Sequence, residues 1–174
     1  MTASPSASAA STTTVAAAPY KPADLNGPAQ NVPKPVKPPL ADEFSEKGLD
    51  AFVRYWFETY NYAAQTGDTV LGDILADPTC TSCSQLLGSF KTAYDKGHWI
   101  VGQLTRIDAA QTYFTPGTDG AYQEVVQFNL AAGKYLTGTG IVGKETPEDP
   151  AMAKIFIASH ANGKWLITNI GVPQ

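Results

Sequence analysis

Two cysteines separated by two residues are the first candidates for chemistry in this chain. Cys80 and Cys83 lie in the stretch DPTCTSC, ahead of a predicted helix, and the chain has no other cysteine. A pair at this spacing serves thiol redox chemistry, metal binding or a structural disulfide. The dipole of the following helix would lower the pKa of a thiol at its start, which favours a redox centre. Redox motifs of this kind accompany a βαβ unit, however, whereas helix and Asp-Pro precede Cys80.

A zinc site at these cysteines lacks further ligands. Zinc takes four, and the only histidines, His98 and His160, are far apart and lack the usual spacing. We therefore expect no metal, and favour a disulfide between Cys80 and Cys83 in an oxidising compartment. Its small loop would contribute about 2 kcal/mol by holding the start of the helix. A thiol oxidoreductase stays as an alternative, and it requires a free, acidic thiol at Cys80.

The candidates for acid–base catalysis are few. His98 stands at a predicted helix-to-strand junction, His160 stands beside the Asn162-Gly163 turn, and Asp108 stands where a strand ends. All three positions are close to the rim of the predicted sheet rather than deep in a pocket. A surface imidazole is the plainer interpretation of each histidine. No nucleophile elbow or paired carboxylates stand out, so we expect no catalytic residue.

The stretch GTGIVG, residues 138–143, matches the dinucleotide-binding fingerprint letter for letter. Its glycines work only between a strand and a helix whose N-terminus holds the pyrophosphate. Here KETPEDP follows, in which two prolines oppose a helix and three acidic residues repel phosphate. We interpret the stretch as strand and loop, and we expect no cofactor.

The first forty residues differ in composition from the rest of the chain. They hold eight of the 13 prolines, a run rich in Ala, Ser and Thr, and only one aromatic residue, Tyr20. Such a segment cannot bury enough apolar surface to offset its ordering entropy. We therefore predict a disordered linker over residues 1–40 and a single domain over residues 41–174. A tail of this kind commonly follows a processed secretion signal, although a cytosolic protein with a flexible tail is the alternative.

Charge and hydropathy exclude two kinds of partner. The first forty residues carry a net charge of +2, which leaves −6 for the rest of a chain whose total is −4. An acidic domain repels phosphate backbones, so we expect no nucleic-acid partner. The chain also contains no run of about 18 apolar residues of the kind that spans a membrane.

A helix is the clearest element of the sequence. Ser45 is a plausible N-cap and Gly67 a plausible end, and the polar face between them carries Asp50, Arg54 and Glu58. A short helix and a third helix, residues 81–96, follow. The apolar face repeats at helical spacing over four turns: Leu49, Phe52, Val53, Trp56, Phe57, Tyr60, Ala63 and Ala64.

After the third helix, the spacing of apolar residues changes from the helical repeat to every second residue, as in a β-strand. HWIVGQLTRID, residues 98–108, reads as one strand, and Asn162-Gly163 predicts a tight hairpin between the last two strands. Helices followed by antiparallel strands predict an α+β fold with N-terminal helices packed on a curved antiparallel sheet. In AYQEVVQFNL one strand face carries Tyr122, Glu124, Val126, Phe128 and Leu130.

Taken together, these elements resemble the cone-shaped nuclear transport factor 2-like (SnoaL-like) fold. More narrowly, AFVRYWFETYNYAAQTGD and DPTCTSC resemble an uncharacterised family of actinobacterial secreted lipoproteins, and the resemblance runs from Phe44 to the C-terminus. It implies a sheet that cups a pocket beneath the first helix, an N-terminal lipid anchor and no established activity. The acylated cysteine of such lipoproteins is absent, and Met1 stands in its place. Face-to-face pairing of sheets, common in this superfamily, leaves a homodimer open.

The pocket implied by the resemblance would be aromatic. Its expected lining residues are Trp56 and Tyr60 from the first helix and Trp99, Tyr122, Phe128 and Trp165 from the sheet, although ordinary core packing explains such residues equally well. We expect an extracytoplasmic, lipid-anchored, non-catalytic module that binds a small molecule or an envelope protein. The alternative is a small SnoaL-like acid–base enzyme, an isomerase, dehydratase or hydrolase, with His98 or Asp108 near a tyrosine in the pocket.

Overall fold

The structure, a computed structural model, describes residues 18–139 and 142–173. Three helices precede seven strands along the chain, as the predicted α+β fold requires. The elements are a 3₁₀ turn Pro39–Asp42, helices α1 Glu46–Thr66, α2 Val70–Asp73 and α3 Thr81–Asp95, and strands β1 Trp99–Gly102, β2 Thr105–Tyr113, β3 Tyr122–Leu130, β4 Gly133–Leu136, β5 Val142–Thr146, β6 Asp149–Ala161 and β7 Lys164–Gly171. No helix in these ranges is long and apolar enough to span a membrane.

Helix α1 begins and ends where its sequence predicts. The Ser45 side chain accepts a hydrogen bond from the Gly48 backbone N–H at 3.0 Å, and Gly67 ends the helix in the left-handed conformation. The predicted apolar face is buried except at Tyr60, which is partly buried, and Leu49, Phe52 and Val53 are fully inaccessible. On the exposed face, Arg54 donates to both carboxylate oxygens of Asp50. The amphipathic pattern is therefore sufficient to orient α1 on the sheet.

All strand pairs are antiparallel, and they form two sheets rather than one. The four-stranded sheet has the order β2-β3-β6-β7, and the three-stranded sheet has the order β1-β4-β5. Helix α1 packs mainly on the four-stranded sheet, and α3 contacts its β7 edge. The tight hairpin is confirmed, because Asn162 and Gly163 both have positive φ angles between β6 and β7.

The prediction of one strand over residues 98–108 is wrong. Gly102 and Gln103 adopt φ angles of 76° and 57°, which ends β1 and redirects the chain before β2. Backbone hydrogen bonds continue across the turn, from Gln103 N to Ala132 O and from Ala131 N to Leu104 O. The two sheets are therefore joined at a sharp corner, which we call the Gly102 corner (Gly102–Leu104 with Ala131–Gly133).

The prediction of disorder is wrong for residues 18–40, while residues 1–17 lie outside the described part of the chain. The segment runs along α1: the Tyr20 hydroxyl donates to Gln65 Oε1 at 2.7 Å, and Trp99 Nε1 donates to Asp24 O at 2.8 Å. A small antiparallel turn between Lys21 and Gln30 orders its middle. Prolines lower the conformational entropy that such a segment loses when it becomes ordered. The average composition of the first forty residues does not reveal this effect.

Candidate functional site

A cavity opens between α1 and the inner face of the four-stranded sheet. The volume available to the centre of a water-sized sphere is about 60 Å³, several times what one water molecule needs. Residues from two helices and all four strands line it: Trp56, Phe57 and Tyr60 from α1, Leu86 from α3, Thr105 from β2, Phe128 and Leu130 from β3, Met152, Lys154 and Phe156 from β6, and Ile170 from β7.

Aromatic rings brace the wall of the cavity. Trp56 stacks on Tyr60 with ring centroids 5.4 Å apart, and Phe57 meets Phe128 edge to face at 5.1 Å. Burial raises the pKa of the Tyr60 phenol, which therefore stays neutral. Because these rings pack against one another, closure of the gap by rotation of one ring would disturb its neighbours.

One polar atom of this wall lacks a partner. Trp56 Nε1 is buried and donates no hydrogen bond within the described residues. A buried N–H left without an acceptor costs about 1–3 kcal/mol. An acceptor atom carried by a bound molecule that reached this N–H would remove the cost.

The six residues expected in the pocket divide between three places. Trp56, Tyr60 and Phe128 line the cavity. Trp99 lies in the three-stranded sheet and holds the N-terminal segment through its indole N–H. Tyr122 and Trp165 lie outside the cavity, in a second aromatic cluster with Phe44, Phe114 and His160.

The second aromatic cluster anchors the start of the domain. Trp165 Nε1 donates to Glu43 O at 2.9 Å, and His160 Nε2 lies 3.0 Å from Asp42 O. Phe44 covers the cluster and remains 56% exposed. These contacts fix the chain just before α1, so the cluster is a structural anchor rather than part of the cavity.

The candidate acid–base residues lie away from the cavity. His98 Nδ1 is 2.9 Å from the Tyr135 hydroxyl, the kind of pair an acid–base site would use, but both residues belong to the β1–β4 region. Asp108 pairs with Arg106 at 3.1 Å on an exposed face. Neither His98 nor Asp108 is among the residues that line the cavity.

Sequence reasoning missed the most perturbed carboxyl group. Glu124 on β3 is fully buried, its Oε2 accepts from Thr112 Oγ1 at 3.0 Å, and its Oε1 has no partner in the described residues. Burial raises the pKa of Glu124 to about 7; the nearby Asp50 charge raises it further, and Thr112 and Arg54 lower it. The sequence did contain a signal for this burial, because Glu124 lies on the same face of the strand as Val126 and Phe128 in the alternating pattern.

Cys80 and Cys83 are joined in a disulfide. Cys80 is also the N-cap of α3, since its Sγ accepts from the Cys83 backbone N–H. Between them, Ser82 accepts a hydrogen bond from Ile170 N and donates one to Asn169 Oδ1, both at 2.9 Å. The disulfide therefore holds the first turn of α3, where Ser82 satisfies backbone and side-chain groups at the β7 edge of the sheet, a structural role.

Two observations concern other ligands. Within residues 18–139 and 142–173, no group of three or more His, Cys, Asp or Glu residues could hold a metal ion. The stretch 138–143 is only partly described, because Gly140 and Ile141 lie outside the described residues. Strand β5 begins at Val142, directly after this gap.

Comparison with known proteins gives weak structural matches. The intermembrane space region of the chloroplast protein ARC6 is 12% identical, with 74% of this chain and 95% of that chain covered and a TM-score of 0.47. Aln2 from a Streptomyces species is 10% identical, with coverages of 73% and 90% and a TM-score of 0.45. ActVI-ORFA from Streptomyces coelicolor is 11% identical, with coverages of 72% and 96% and a TM-score of 0.45.

These structural similarities carry no functional information for this chain, and no curated protein matches its sequence. A family model matches residues 18–171, which includes the N-terminal segment that packs along α1 as well as all seven strands. The chain therefore belongs to DUF6318, a family of unknown function.

Proposed function

We propose that this protein is a non-catalytic binding domain that takes a small, largely apolar molecule into the cavity beneath α1. The observation that carries the proposal is the lining, which is aromatic or aliphatic apart from Thr105 and Lys154. Apolar walls with a few polar groups are characteristic of small-molecule sites. A close-packed core has few voids larger than one water molecule, so a gap of this size between bulky rings supports a binding role.

Access to the cavity supports the same proposal. Leu86, Leu130, Met152 and Lys154 are partly exposed, whereas Trp56, Phe128 and Phe156 are buried. The partly exposed side chains form a mouth, and the buried rings form a floor. Burial of an apolar ligand there would be favourable by about 25 cal/mol for each Å² removed from water.

Replacing Met152 with tryptophan is expected to block ligand entry. The indole would occupy the mouth, so the affinity for 1-octanol, used as an apolar probe, should fall at least tenfold. The affinity is measured from amide chemical-shift changes in a ¹H–¹⁵N NMR titration of the full chain. Ile74→Trp is the matched control, because Ile74 is 65% exposed on a surface outside the cavity.

The titration of the unmodified protein decides the proposal itself. Octanol-induced shifts should cluster at the amides of β3, β6 and the middle of α1. Absence of saturable shifts up to the solubility limit of octanol, or shifts confined to the second aromatic cluster, would refute binding in the cavity.

We propose further that the domain works outside the cytoplasm, on an N-terminal lipid anchor, where an envelope protein is a second candidate partner. The disulfide supports this location, since such bonds persist mainly in oxidising compartments. The location is tested in native cells quenched with acid and treated with maleimide, where Cys80 and Cys83 should stay unmodified until a reductant is added. The lipid anchor is tested by phase separation in Triton X-114, where the protein should enter the detergent phase. Alkylation without reductant would contradict the location, and recovery in the aqueous phase would contradict the anchor.

A further inference from the structure

Lys154 occupies a position that an apolar residue would normally hold. Alternate residues of a strand face opposite sides of a sheet, and Lys154 shares its side of β6 with Met152 and Phe156. Directly across on β3 its partner is Val126, which is fully buried. The Lys154 side chain therefore projects from the inner face of the sheet, at the mouth of the cavity.

Protection of a sheet edge does not explain this charge. Inward-pointing lysines often guard exposed edge strands against pairing with other chains. Strand β6, however, lies between β3 and β7 and has hydrogen-bonded neighbours on both sides. The position of Lys154 in the middle of the sheet therefore needs another reason.

Lys154 also lacks an internal counter-charge. No ion pair within the described residues includes it, although residues 41–174 carry a net charge of −6. It is the sole charged residue among the described residues that line the cavity. An acidic domain thus presents one uncompensated positive charge at the mouth of an apolar cavity.

We infer that the ligand is an amphipathic carboxylate, a claim that rests on the binding function proposed above. Its apolar body lies against Trp56, Phe57 and Phe128, and its carboxylate meets the Lys154 ammonium group at the mouth. One lysine balances one negative charge, whereas a dianionic head group would leave excess negative charge against an acidic domain. A charge-assisted hydrogen bond in this partly buried setting is stronger than one between neutral groups.

The test compares octanoate with 1-octanol, which share an apolar chain and differ in head group. By NMR titration of the full chain, octanoate should bind more tightly than octanol, and Lys154→Met should lower the octanoate-to-octanol affinity ratio at least tenfold. Lys164→Met is the matched control, because Lys164 is exposed at the β6–β7 turn and should leave the ratio unchanged. Added salt should weaken the binding of octanoate but not of octanol.

The outcomes separate this inference from the proposed function. If octanol binds in the cavity but octanoate binds no better, or if Lys154→Met leaves the ratio unchanged, the lysine only covers apolar surface with its stem, and the inference is overturned while the binding function stands. If neither probe binds, both are overturned. Should Lys154→Met fold poorly, Lys154→Gln removes the same charge with a polar side chain, and the same ratio decides.

Discussion

Replacing Glu124 with glutamine is expected to raise the free energy of unfolding by about 3 kcal/mol at pH 8 and to change it little below pH 4.5. The carboxyl group is fully buried on β3, and burial is the main reason that its pKa rises from the ordinary 4.5 to about 7. The charged groups of α1 that act on it oppose each other, since Asp50 raises this pKa and Arg54 lowers it. Glutamine keeps the size of the side chain without a charge.

The direction of the effect follows from proton binding. Between pH 4.5 and 7 the folded protein holds a proton on Glu124 that the unfolded chain has released, so stability falls as pH rises through this window. Above pH 7 the folded protein carries a buried carboxylate whose Oε1 has no partner in the described residues. The glutamine variant has no titrating group there and avoids this loss.

Urea denaturation at pH 4.5, 6 and 8 measures the effect on the full chain. The difference between the wild type and Glu124→Gln should grow with pH and level off above 7. Glu148→Gln, an exposed substitution in the loop before β6, is the control and should change stability by less than about 0.5 kcal/mol at every pH. A constant difference across pH would contradict a raised pKa for Glu124 in the folded protein.

Periodicity predicted the parts of the fold that depend on local pattern. Helix α1 matches because its cap, its end and its apolar face all agree with one another, and the 162–163 hairpin matches because only a tight turn suits Asn-Gly. Glu124 was placed on the correct face of β3. Its burial depends on how closely α1 covers that face, and strand alternation contains no information about this.

The strand predicted over residues 98–108 failed for a local reason, the positive φ angles of Gly102 and Gln103, whereas the other errors came from contacts between segments distant in sequence. Tyr20 and Asp24 are held by Gln65 and Trp99, so composition alone made residues 18–40 look disordered. The same reason limits the prediction of the cavity. Trp165 faces inward as expected, but its indole N–H donates to Glu43 O and its ring contacts Phe44. It therefore packs in the second aromatic cluster and not in the cavity.

The location of Glu124 also bears on catalysis. A buried carboxyl group with a pKa near 7 is suited to general base chemistry. Glu124 is not among the residues that line the cavity, however, and its bonded neighbour Thr112 lies on β2 beyond the lined portion of that strand. Its effect is therefore expected on stability and pH dependence, not on ligand chemistry.

Replacing Gly102 with alanine is expected to lower the free energy of unfolding by about 2 to 5 kcal/mol. Two costs combine at this residue: its φ of 76° strains any residue with a Cβ atom, by about 1–2 kcal/mol, and overpacking adds about 1–3 kcal/mol. The overpacking arises because the new Cβ would lie 2.2 Å from Ala132 O, a backbone atom across the Gly102 corner. Ala132 O also accepts a hydrogen bond from Gln103 N, so a shift of this backbone atom would disturb the hydrogen bonding that joins the two sheets.

Gly97→Ala separates the two costs. Gly97 has a similar φ of 71°, but no atom lies within 4 Å of the place that a Cβ would occupy, so only the conformational strain applies. Urea denaturation should therefore show a clearly smaller loss of stability for Gly97→Ala than for Gly102→Ala, and equal losses would mean that the corner relaxes freely.

Thr105 and Leu130, the first strand pair beyond the corner, line the cavity. The affinity for octanol should consequently fall in Gly102→Ala and not in Gly97→Ala, which would connect the bend of the sheet to the shape of the binding site.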